Sequence, residues 1–227
     1  MSKSKIQFAN LYPLLYRILK PTFPNCLWRG SPDVPEIALT FDDGPHPEYT
    51  PQLLQVLEKY QIKASFFWLG ICVEKYPAIA NQVYDRGHWI GLHGYRHRSF
   101  PLLSPEELKQ SLRQTQNAIA KATPLDPSQI RHVRPPNGFF TPQTLKLLHS
   151  WNYRPVMWSV VPEDWVSPGI PLVVKRVMRQ VHSGALIVLH DGYYGGQDVA
   201  STTAELIPQL LQEGYRFVTL QKFCNQH

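Results

Sequence analysis

Residues 36–45 read EIALTFDDGP, an apolar run that ends in two carboxylates, a glycine and a proline. Similar short runs recur along the chain, and segments with helical spacing separate them. The seven predicted strands span residues 37–41, 64–69, 88–92, 131–134, 155–160, 185–190 and 215–220. Short apolar strands that alternate with helices are typical of a parallel sheet with both faces covered. The pattern predicts an α/β fold. It fits both a barrel and an open doubly wound sheet, and the strand number slightly favours the barrel.

Length and composition indicate one domain that follows a short N-terminal extension. The chain has 227 residues, of which 43% are hydrophobic and 18% are charged, and this balance excludes a disordered or fibrous protein. No apolar run approaches the roughly 18 residues that span a bilayer. The composition does not change after residue 36. We therefore predict a partly helical extension over residues 1–35 and a single domain over residues 36–227.

The positive charge is concentrated in the extension. Residues 1–35 hold five Lys or Arg and one Asp, a net charge of +4, against +6 for the whole chain. A nucleic-acid-binding protein would be expected to carry its basic surface on the folded domain. This distribution argues against DNA or RNA as a partner. It is compatible with attraction to an acidic membrane or cell-wall surface.

The extension also contains one short amphipathic helix. Its apolar positions, which recur at helical spacing, are Leu11, Leu14, Leu15 and Ile18. The favoured interpretation is that this stripe packs against the main domain, and the alternative is that it lies on a membrane surface. Lys3 and Lys5 precede the stripe, but Asn10 and Pro13 interrupt it, so the sequence contains no clear signal peptide. We therefore expect a cytoplasmic or membrane-associated protein.

Polar clusters follow five of the predicted strands at the point where each strand ends. The clusters are TFDDGP at residues 40–45, HGYRH at 93–97, RPPNG at 134–138, PEDW at 162–165 and VLHDG at 188–192. The carboxyl ends of parallel strands share one edge of a sheet or barrel, where α/β proteins place their active sites. The sequence therefore predicts one site to which all these clusters contribute.

Two histidines and two aspartates in these clusters indicate a metal site. His93 and His97 are four residues apart, so on a helical turn their imidazoles would face the same way and share a cation. A carboxylate from a neighbouring strand end would complete a catalytic divalent centre with an open position for water. Asp42 and Asp43 would point to opposite sides of an extended strand end, one toward the metal and one toward water or substrate. The arrangement predicts metal-assisted hydrolysis, in which the second carboxylate accepts a proton from water.

Four further residues suit chemistry at the same edge. Arg134 is permanently charged and could hold Asp42 in its ionised form. His190 titrates near neutral pH and is the natural proton donor, and Asp164 could orient it and stabilise its charged form. Trp165 offers an apolar wall for an acyl group or a sugar face.

The five clusters, in this order, resemble the polysaccharide deacetylases with a NodB homology domain, carbohydrate esterase family four. Residues 40–45 match the family's TFDDGP run in full, residues 63–70 (KASFFWLG) match its second strand, and residues 189–192 match its LHDG element. The resemblance extends over residues 35–220. It implies a distorted, TIM-like (β/α) barrel of seven strands in a single domain. It also implies one divalent cation, most often zinc, with cobalt, nickel or manganese as alternatives.

The resemblance also assigns roles by motif position. The implied metal ligands are Asp43, His93 and His97. The implied catalytic residues are Asp42 as general base and His190 as general acid, with Arg134 restraining Asp42 and Asp164 tuning His190. The implied substrate contacts are the backbone N–H of Asn137, at the tetrahedral oxyanion, and the side chains of Trp165 and Val188, around the acetyl methyl.

The implied reaction is hydrolysis of an N-acetyl group on a hexosamine, which releases acetate and leaves a free amine. The substrate would be an N-acetylated glycan, such as peptidoglycan or a chitin-like oligosaccharide, and the resemblance points to the cell envelope. Two alternatives remain open: an O-acetyl esterase acting on acetylated xylan-type sugars, and a glycan-binding protein whose site has lost turnover. The presence of both Asp42 and His190 argues against the second alternative.

Four positions depart from the family pattern. Gly94 stands where the family has Ser or Thr, Asn137 replaces an aromatic residue, Val161 stands at a frequent Asp, and Val188 replaces Leu. Gly94 lacks a hydroxyl that could brace the metal loop, and Val188 is one methylene smaller in the acyl pocket. None of these changes removes a residue assigned to the chemistry. We therefore expect activity, with the rigidity of the metal loop and the substrate preference as the affected properties.

Overall fold

The computed structural model describes residues 8–225, and within them seven parallel strands form one curled sheet. The strands are β1 (Glu36–Asp42), β2 (Ser65–Trp68), β3 (Trp89–Leu92), β4 (His132–Val133), β5 (Arg154–Pro155), β6 (Leu186–His190) and β7 (Arg216–Phe217). Each strand overlaps one of the predicted apolar runs. Lys3 and Lys5, which precede the predicted helix, lie outside the described residues, as do residues 226–227.

Helices connect successive strands and pack around the sheet. They are α1 (Tyr12–Thr22), α2 (Tyr49–Lys59), α3 (Gly70–Lys75), α4 (Pro77–Asp85), α5 (Pro105–Ala122), α6 (Pro142–Ser150), α7 (Ile170–Gln180), α8 (Val199–Gln212) and α9 (Leu220–Cys224). The longest of them, α5, begins at a capping box. Ser104 Oγ accepts a hydrogen bond from the Glu107 N–H at 3.1 Å, and the Glu107 carboxylate accepts one from the Ser104 N–H at 2.8 Å.

The sheet curls until its two ends meet. The strand order is β5-β4-β3-β2-β1-β6, and β7 pairs with the first two residues of β1. Val160, which follows β5, forms a parallel bridge to Ile187 of β6, and its N–H donates to Leu186 O at 3.0 Å. This closure agrees with the predicted distorted (β/α) barrel and not with an open doubly wound sheet.

The predicted strand over residues 155–160 is shorter than expected. Pro155 pairs with β4, but Val156 forms a bridge to Leu27 of the N-terminal extension. The Leu27 N–H donates to Pro155 O at 2.9 Å, and the Met157 N–H donates to Leu27 O at 2.8 Å. The predicted strand boundary was wrong because a segment distant in sequence satisfies backbone groups that a longer β5 would offer to a neighbouring strand.

β1 lies in the middle of the sheet, and this position explains why residues 36–41 are mostly apolar. All seven of its residues are buried, because strands flank it on both edges and side chains pack on both faces. Phe41 contacts Phe66 of β2, with ring centroids 5.3 Å apart. A strand covered in this way can present polar groups to a site only where it ends. Asp42 and Asp43 therefore lie at the end of the barrel to which the carboxyl ends of the strands point.

α1 packs on the domain through a different face from the one predicted. The exposed fractions of Leu11, Leu14, Leu15 and Ile18 are 48, 55, 42 and 54%. The residues that contact the core are Tyr12, Tyr16, Leu19 and Phe23. The interpretation that the leucine stripe packs against the domain is therefore wrong. Aromatic rings bury a large area and find ring partners here, as Phe23 does with Phe140 at a centroid distance of 5.0 Å.

Candidate active site

The register of the sheet brings the polar clusters together. Asp42 at the end of β1 pairs with His190 at the end of β6. The last residues of β3 and β4 also pair, so His93 and Arg134 leave adjacent strands side by side. The clusters surround a pocket of about 410 Å³. The predicted site residues that line it are Asp42, Asp43, His93, His97, Arg134, Asn137, Trp165, Val188 and His190. The remaining one, Asp164, is hydrogen-bonded to His190.

Three of these residues form a cluster suited to a cation. Asp43 Oδ1 is 3.4 Å from the Nε2 atoms of both His93 and His97, and one ligand atom from each residue lies within 4.8 Å of the others. Asp43 Oδ1 is buried and has no hydrogen-bond partner among residues 8–225. A buried carboxylate oxygen without a partner is costly unless a cation compensates it. The donor set of two imidazole nitrogens and one carboxylate oxygen therefore fits a catalytic divalent ion.

Hydrogen bonding and local charge prepare these groups to act as ligands. His93 Nδ1 lies 2.8 Å from Arg134 O, and because a carbonyl only accepts, Nδ1 carries the proton and Nε2 keeps its lone pair. Burial alone would raise the pKa of Asp43, but the interaction with His93 and the charges of the nearby histidines hold that pKa well below its usual range. Burial lowers the pKa of His97, which favours its neutral, ligand-competent form.

The histidines converge without the predicted helical turn. Residues 93–97 form an irregular loop, in which Gly94 has φ of +84°. This left-handed residue redirects the chain so that the rings of His93 and His97 lie 5.4 Å apart. Asp43 likewise has φ of +75°, so the two aspartates diverge at a turn rather than along an extended strand end. The local geometry inferred from residue spacing was wrong because both segments have left-handed residues that spacing does not reveal.

Ser111 of α5 supplies a hydroxyl at the position where Gly94 lacks one. Its Oγ accepts a hydrogen bond from the Tyr95 N–H at 2.8 Å, and a Cβ atom built on Gly94 would lie 3.5 Å from that oxygen. The carbonyls of Gly94 and Tyr95 accept hydrogen bonds from the N–H groups of Gly70 and Ile71, each at 3.0 Å. The metal loop is therefore braced from α3 and α5, which compensates for the hydroxyl absent from Gly94.

Asp42 is held by a buried ion pair. Arg134 Nη1 donates to Asp42 Oδ1 at 2.7 Å and to Thr40 Oγ1 at 2.8 Å, and Nη2 donates to Met157 O at 3.0 Å. The guanidinium lies 4.1 Å from the centroid of the Phe67 ring. Asp42 and Arg134 are 3 and 2% exposed. A buried arginine with these contacts fixes the orientation of the carboxylate.

His190 is held by both oxygens of Asp164. Its backbone N–H donates to Oδ2 at 2.8 Å, and its Nδ1 lies 2.8 Å from Oδ1. Burial opposes protonation of the imidazole, but the charge and hydrogen bond of Asp164 outweigh it and, with Asp43 and Asp42, raise the pKa of His190 to about 9. His190 is therefore protonated at neutral pH and can donate a proton.

The predicted substrate contacts Asn137, Trp165 and Val188 all line the pocket. Asn137 has φ of +59°, and its side chain donates to Ser99 Oγ at 2.9 Å rather than reaching across the pocket. The Trp165 ring lies 5.1 Å from the ring of His190, at an angle of 72°. Val188 and Val161 contribute apolar lining.

Two glycines allow the loops of the site to interlock. A Cβ atom on Gly192 would lie 2.5 Å from Asp43 Cβ, and one on Gly44 would lie 2.4 Å from the Asp191 carboxylate. Asp191 is buried, its Oδ2 accepts a hydrogen bond from Thr50 Oγ1 at 2.6 Å, and burial raises its pKa to about 7. The glycines that follow the aspartates are thus required by close packing between β1 and β6 loops.

Several pocket residues were not identified from the sequence. They are Tyr12, Phe139 and Trp158. Tyr12 belongs to the N-terminal extension, for which the sequence predicted packing or membrane contact but no role at the site. Trp158 lies in the predicted fifth strand, and its aromatic character was the only available signal.

Comparisons with known proteins are consistent with this geometry. Residues 29–156 match the family model described as polysaccharide deacetylase. A peptidoglycan-N-acetylglucosamine deacetylase of Bacillus cereus is 34% identical over 211 residues, which cover 92% of this chain and 97% of that protein. A chitooligosaccharide deacetylase of Bradyrhizobium sp. is 33% identical over 190 residues, which cover 79% of this chain and 86% of that protein.

A solved structure agrees with the sequence comparisons. The crystal structure of a peptidoglycan N-acetylglucosamine deacetylase superposes with a TM-score of 0.82 and 30% sequence identity, and the match covers 88% of this chain and 92% of that chain. The chain belongs to the polysaccharide deacetylase family, carbohydrate esterase family 4.

Proposed function

We propose that this protein is a metal-dependent deacetylase that hydrolyses N-acetyl groups of N-acetylglucosamine-containing glycans, either peptidoglycan or chitin-like oligosaccharides. The products are acetate and a glycan with a free amine. The observation that carries the proposal is the cluster of Asp43, His93 and His97, whose buried carboxylate oxygen lacks a hydrogen-bond partner among the described residues. Asp42, paired with Arg134, and a protonated His190 border the same pocket. Residues 36–227 would form the catalytic domain and residues 1–35 its extension.

Asp43, His93 and His97 would hold the divalent ion, and zinc suits two imidazole nitrogens and one carboxylate oxygen best. Cobalt, nickel and manganese are the alternatives. When bound, the ion would lower the pKa of water and polarise the amide carbonyl of the substrate. The hydrogen bond between His93 and Arg134 O would keep the imidazole in the ligating tautomer.

Asp42 would act as the general base. Its carboxylate would accept a proton from the attacking water, and the ion pair with Arg134 at 2.7 Å would keep it oriented. The backbone N–H of Asn137 would stabilise the negative charge that develops on the former carbonyl oxygen. Asn137 lies in the PPNG turn at residues 135–138, which follows β4.

His190 would act as the general acid. Its imidazolium would protonate the nitrogen of the leaving amine, and Asp164 at 2.8 Å would stabilise the charge before transfer. Trp165 and Val188 would contact the acetyl methyl. Their apolar surface excludes water from the reacting group and selects a small acyl chain.

The substrate class implies a location at the cell envelope. No helix among residues 8–225 is long and apolar enough to cross a membrane. We further propose that the exposed apolar stripe of α1, defined by Leu11, Leu14, Leu15 and Ile18, makes a weak contact with an anionic membrane surface. Co-sedimentation with vesicles of phosphatidylglycerol and phosphatidylcholine would test this contact. Binding that is unchanged in Leu14→Ser/Ile18→Ser would contradict it.

Acetate release tests the enzymatic proposal directly. The purified full chain would be incubated with chitotetraose, peptidoglycan and acetylated xylan, before and after chelation and with zinc restored. Metal-dependent release from the N-acetylated glycans is the expected result. Release from xylan alone would support the O-acetyl esterase instead. Glycan binding without metal-stimulated release from any substrate would indicate a site without turnover.

A further inference from the structure

The N-terminal extension reaches into the pocket that holds the candidate catalytic residues. Tyr12, in the first turn of α1, lines this pocket together with Trp158 and Trp165. Its ring makes edge-to-face contacts with Trp158, at a centroid distance of 5.4 Å, and with Trp165, at 6.2 Å. Tyr12 is therefore part of an aromatic wall on the side of the pocket where Trp165 approaches His190.

A buried carboxylate ties the start of the extension to the same wall. The two oxygens of Glu163 accept hydrogen bonds from the backbone N–H groups of Phe8 and Ala9, each at 2.7 Å. Glu163 is 2% exposed and has φ of +58°, and Ala9 is 3% exposed. A charged acceptor that satisfies two backbone donors in a buried setting is a strong local anchor. Glu163 directly precedes Asp164 and Trp165 in the chain, so the anchor belongs to the loop that shapes the acid side of the site.

We infer that the N-terminal extension contributes a side chain to the active site. Tyr12 closes the acyl pocket and determines which N-acyl chain fits, and Glu163 is a positioning residue that keeps Tyr12 in place. The inference rests on the proposed deacetylase function. It assigns Tyr12 a contact with the acyl group of the substrate, beside the contacts proposed for Trp165 and Val188.

Tyr16 provides a matched control on the same helix. It lies one turn further along α1, and its ring stacks on His182 at 5.7 Å and contacts Trp28 at 6.3 Å. Tyr16 does not belong to the lining of the active-site pocket. Tyr12→Ala and Tyr16→Ala therefore remove the same side chain from the same helix, and only the first should change the shape of the pocket.

Selectivity between acyl chains is the decisive measurement. The full-length zinc-loaded protein would be assayed with chitotetraose carrying N-acetyl or N-propionyl groups, and the ratio of kcat/KM for the two substrates would be compared. Because one methylene in an apolar pocket changes selectivity by about 10-fold or more, Tyr12→Ala should raise the propionyl/acetyl ratio by roughly that factor. Tyr16→Ala should leave the ratio at the wild-type value, and so should Tyr12→Phe, which keeps the ring.

Glu163→Gln tests the positioning role. Glutamine has one acceptor oxygen, so one of the two backbone donors loses its partner, and the selectivity should shift in the same direction as in Tyr12→Ala but less. The double variant should shift no further than Tyr12→Ala, because both changes remove the same wall. A double variant whose shift is the product of the two single shifts would overturn the link between Glu163 and Tyr12.

Affinity measurements separate this inference from the proposed reaction. Calorimetric titration of the two oligosaccharides into proteins that also carry Asp42→Asn, which should retain zinc but hydrolyse slowly, gives a selectivity ratio with little turnover. Tyr12→Leu replaces Tyr12→Ala if thermal unfolding shows the latter to be unfolded. Loss of discrimination in the Tyr12 variant supports the inference. An unchanged ratio in folded Tyr12→Ala, or in Tyr12→Leu where that variant replaces it, overturns the inference, whether or not the protein hydrolyses the glycan. Absence of hydrolysis by the wild type would count only against the proposed reaction.

Discussion

Two regions line the pocket: the rim, which is the set of polar residues at the strand ends such as Asp42, Arg134 and His190, and the N-terminal extension. Different contacts hold the two regions in place. On the rim, Asp42 and Arg134 are almost completely buried, and the pairing of β1 and β4 with their neighbours sets their positions. The extension reaches the pocket through Tyr12 and two hydrogen bonds to Glu163, while its leucine stripe is exposed. The barrel sets the geometry of the rim residues, whereas contacts with Trp158, Trp165 and Glu163 hold the start of the extension at the pocket. Changes on the rim should therefore abolish the chemistry, and changes in the extension should tune it.

The largest expected effect is the loss of the metal site. His93→Ala should remove bound zinc and bring acetate release below detection, because His93 supplies one of three candidate ligands. Metal analysis of the purified variant is the measurement. Asp42→Asn is the matched control on the rim, and it should retain zinc while lowering kcat by roughly 10²–10⁴-fold. Full zinc occupancy in His93→Ala would refute the ligand assignment.

A second large effect should follow from breaking the buried ion pair. Arg134→Met keeps most of the side-chain volume but leaves Asp42 as an unpaired buried charge, which should lower the free energy of unfolding by about 3–5 kcal/mol. Urea denaturation of the variant and the wild type is the measurement. In Arg134→Met/Asp42→Asn the charge is removed as well, so the double variant should be more stable than Arg134→Met. Equal stability of these two variants would show that the charge is not the cause.

An intermediate effect is expected in the pH dependence of kcat. The pKa of His190 is raised to about 9, so its acid form is present at neutral pH and is lost as the pH rises through about 9. Asp164→Asn removes the largest cause that raises this pKa, so the alkaline limb of the profile should move to lower pH. The measurement is kcat from pH 5 to pH 10 in both proteins. An alkaline limb that stays in place would contradict the role of Asp164.

The same pKa has a consequence for stability. Because His190 binds its proton more tightly in the folded than in the unfolded protein, this group stabilises the fold fully below about pH 6.5, the ordinary histidine value. The contribution is lost as the pH rises through about 9. Asp164→Asn should therefore reduce the difference in melting temperature between pH 6 and pH 10.

The smallest effect should come from the outer face of α1. Leu14→Ser should change the free energy of unfolding by less than about 0.5 kcal/mol, because the side chain is 55% exposed. Leu19→Ser, on the face that contacts the core, should lower it by about 1 kcal/mol. Urea denaturation of both variants is the measurement. Equal losses would mean that the leucine stripe is covered in solution.

Most of the active-site rim could be predicted from the sequence because parallel strands end at a common edge. Asp42, Arg134 and His190 each stand directly after or at the end of an apolar run, so strand prediction alone brought them to one place. The details at that edge could not be predicted in the same way. His93 and His97 converge through a left-handed Gly94 and not through a helix, and residue spacing contains no information about the sign of φ.

The buried face of α1 in the N-terminal extension could not be predicted from the sequence. Helical spacing predicted that α1 is amphipathic, yet two apolar faces were available, and the one with Tyr12 and Tyr16 packs while the one with Leu14 is exposed. Hydropathy shows which side chains are apolar. It does not show which other residues will cover them in the folded protein. Only the folded chain offers Trp158 and the Glu163 carboxylate to this segment.

Alternation of apolar runs with helical segments was sufficient to predict the α/β class and its parallel sheet, because burial on both faces constrains every residue of a central strand such as β1. The pattern did not decide between a barrel and an open sheet. The chemistry of the rim was likewise predicted from residue types, because carboxylates, imidazoles and an arginine that converge at the strand ends together suit metal-assisted hydrolysis. Tertiary structure alone decided which face of α1 is buried, where β5 stops and how Tyr12 enters the pocket. Each of these depends on contacts between segments far apart in the chain, as between Leu27 and Val156, and such contacts form only when the chain has folded.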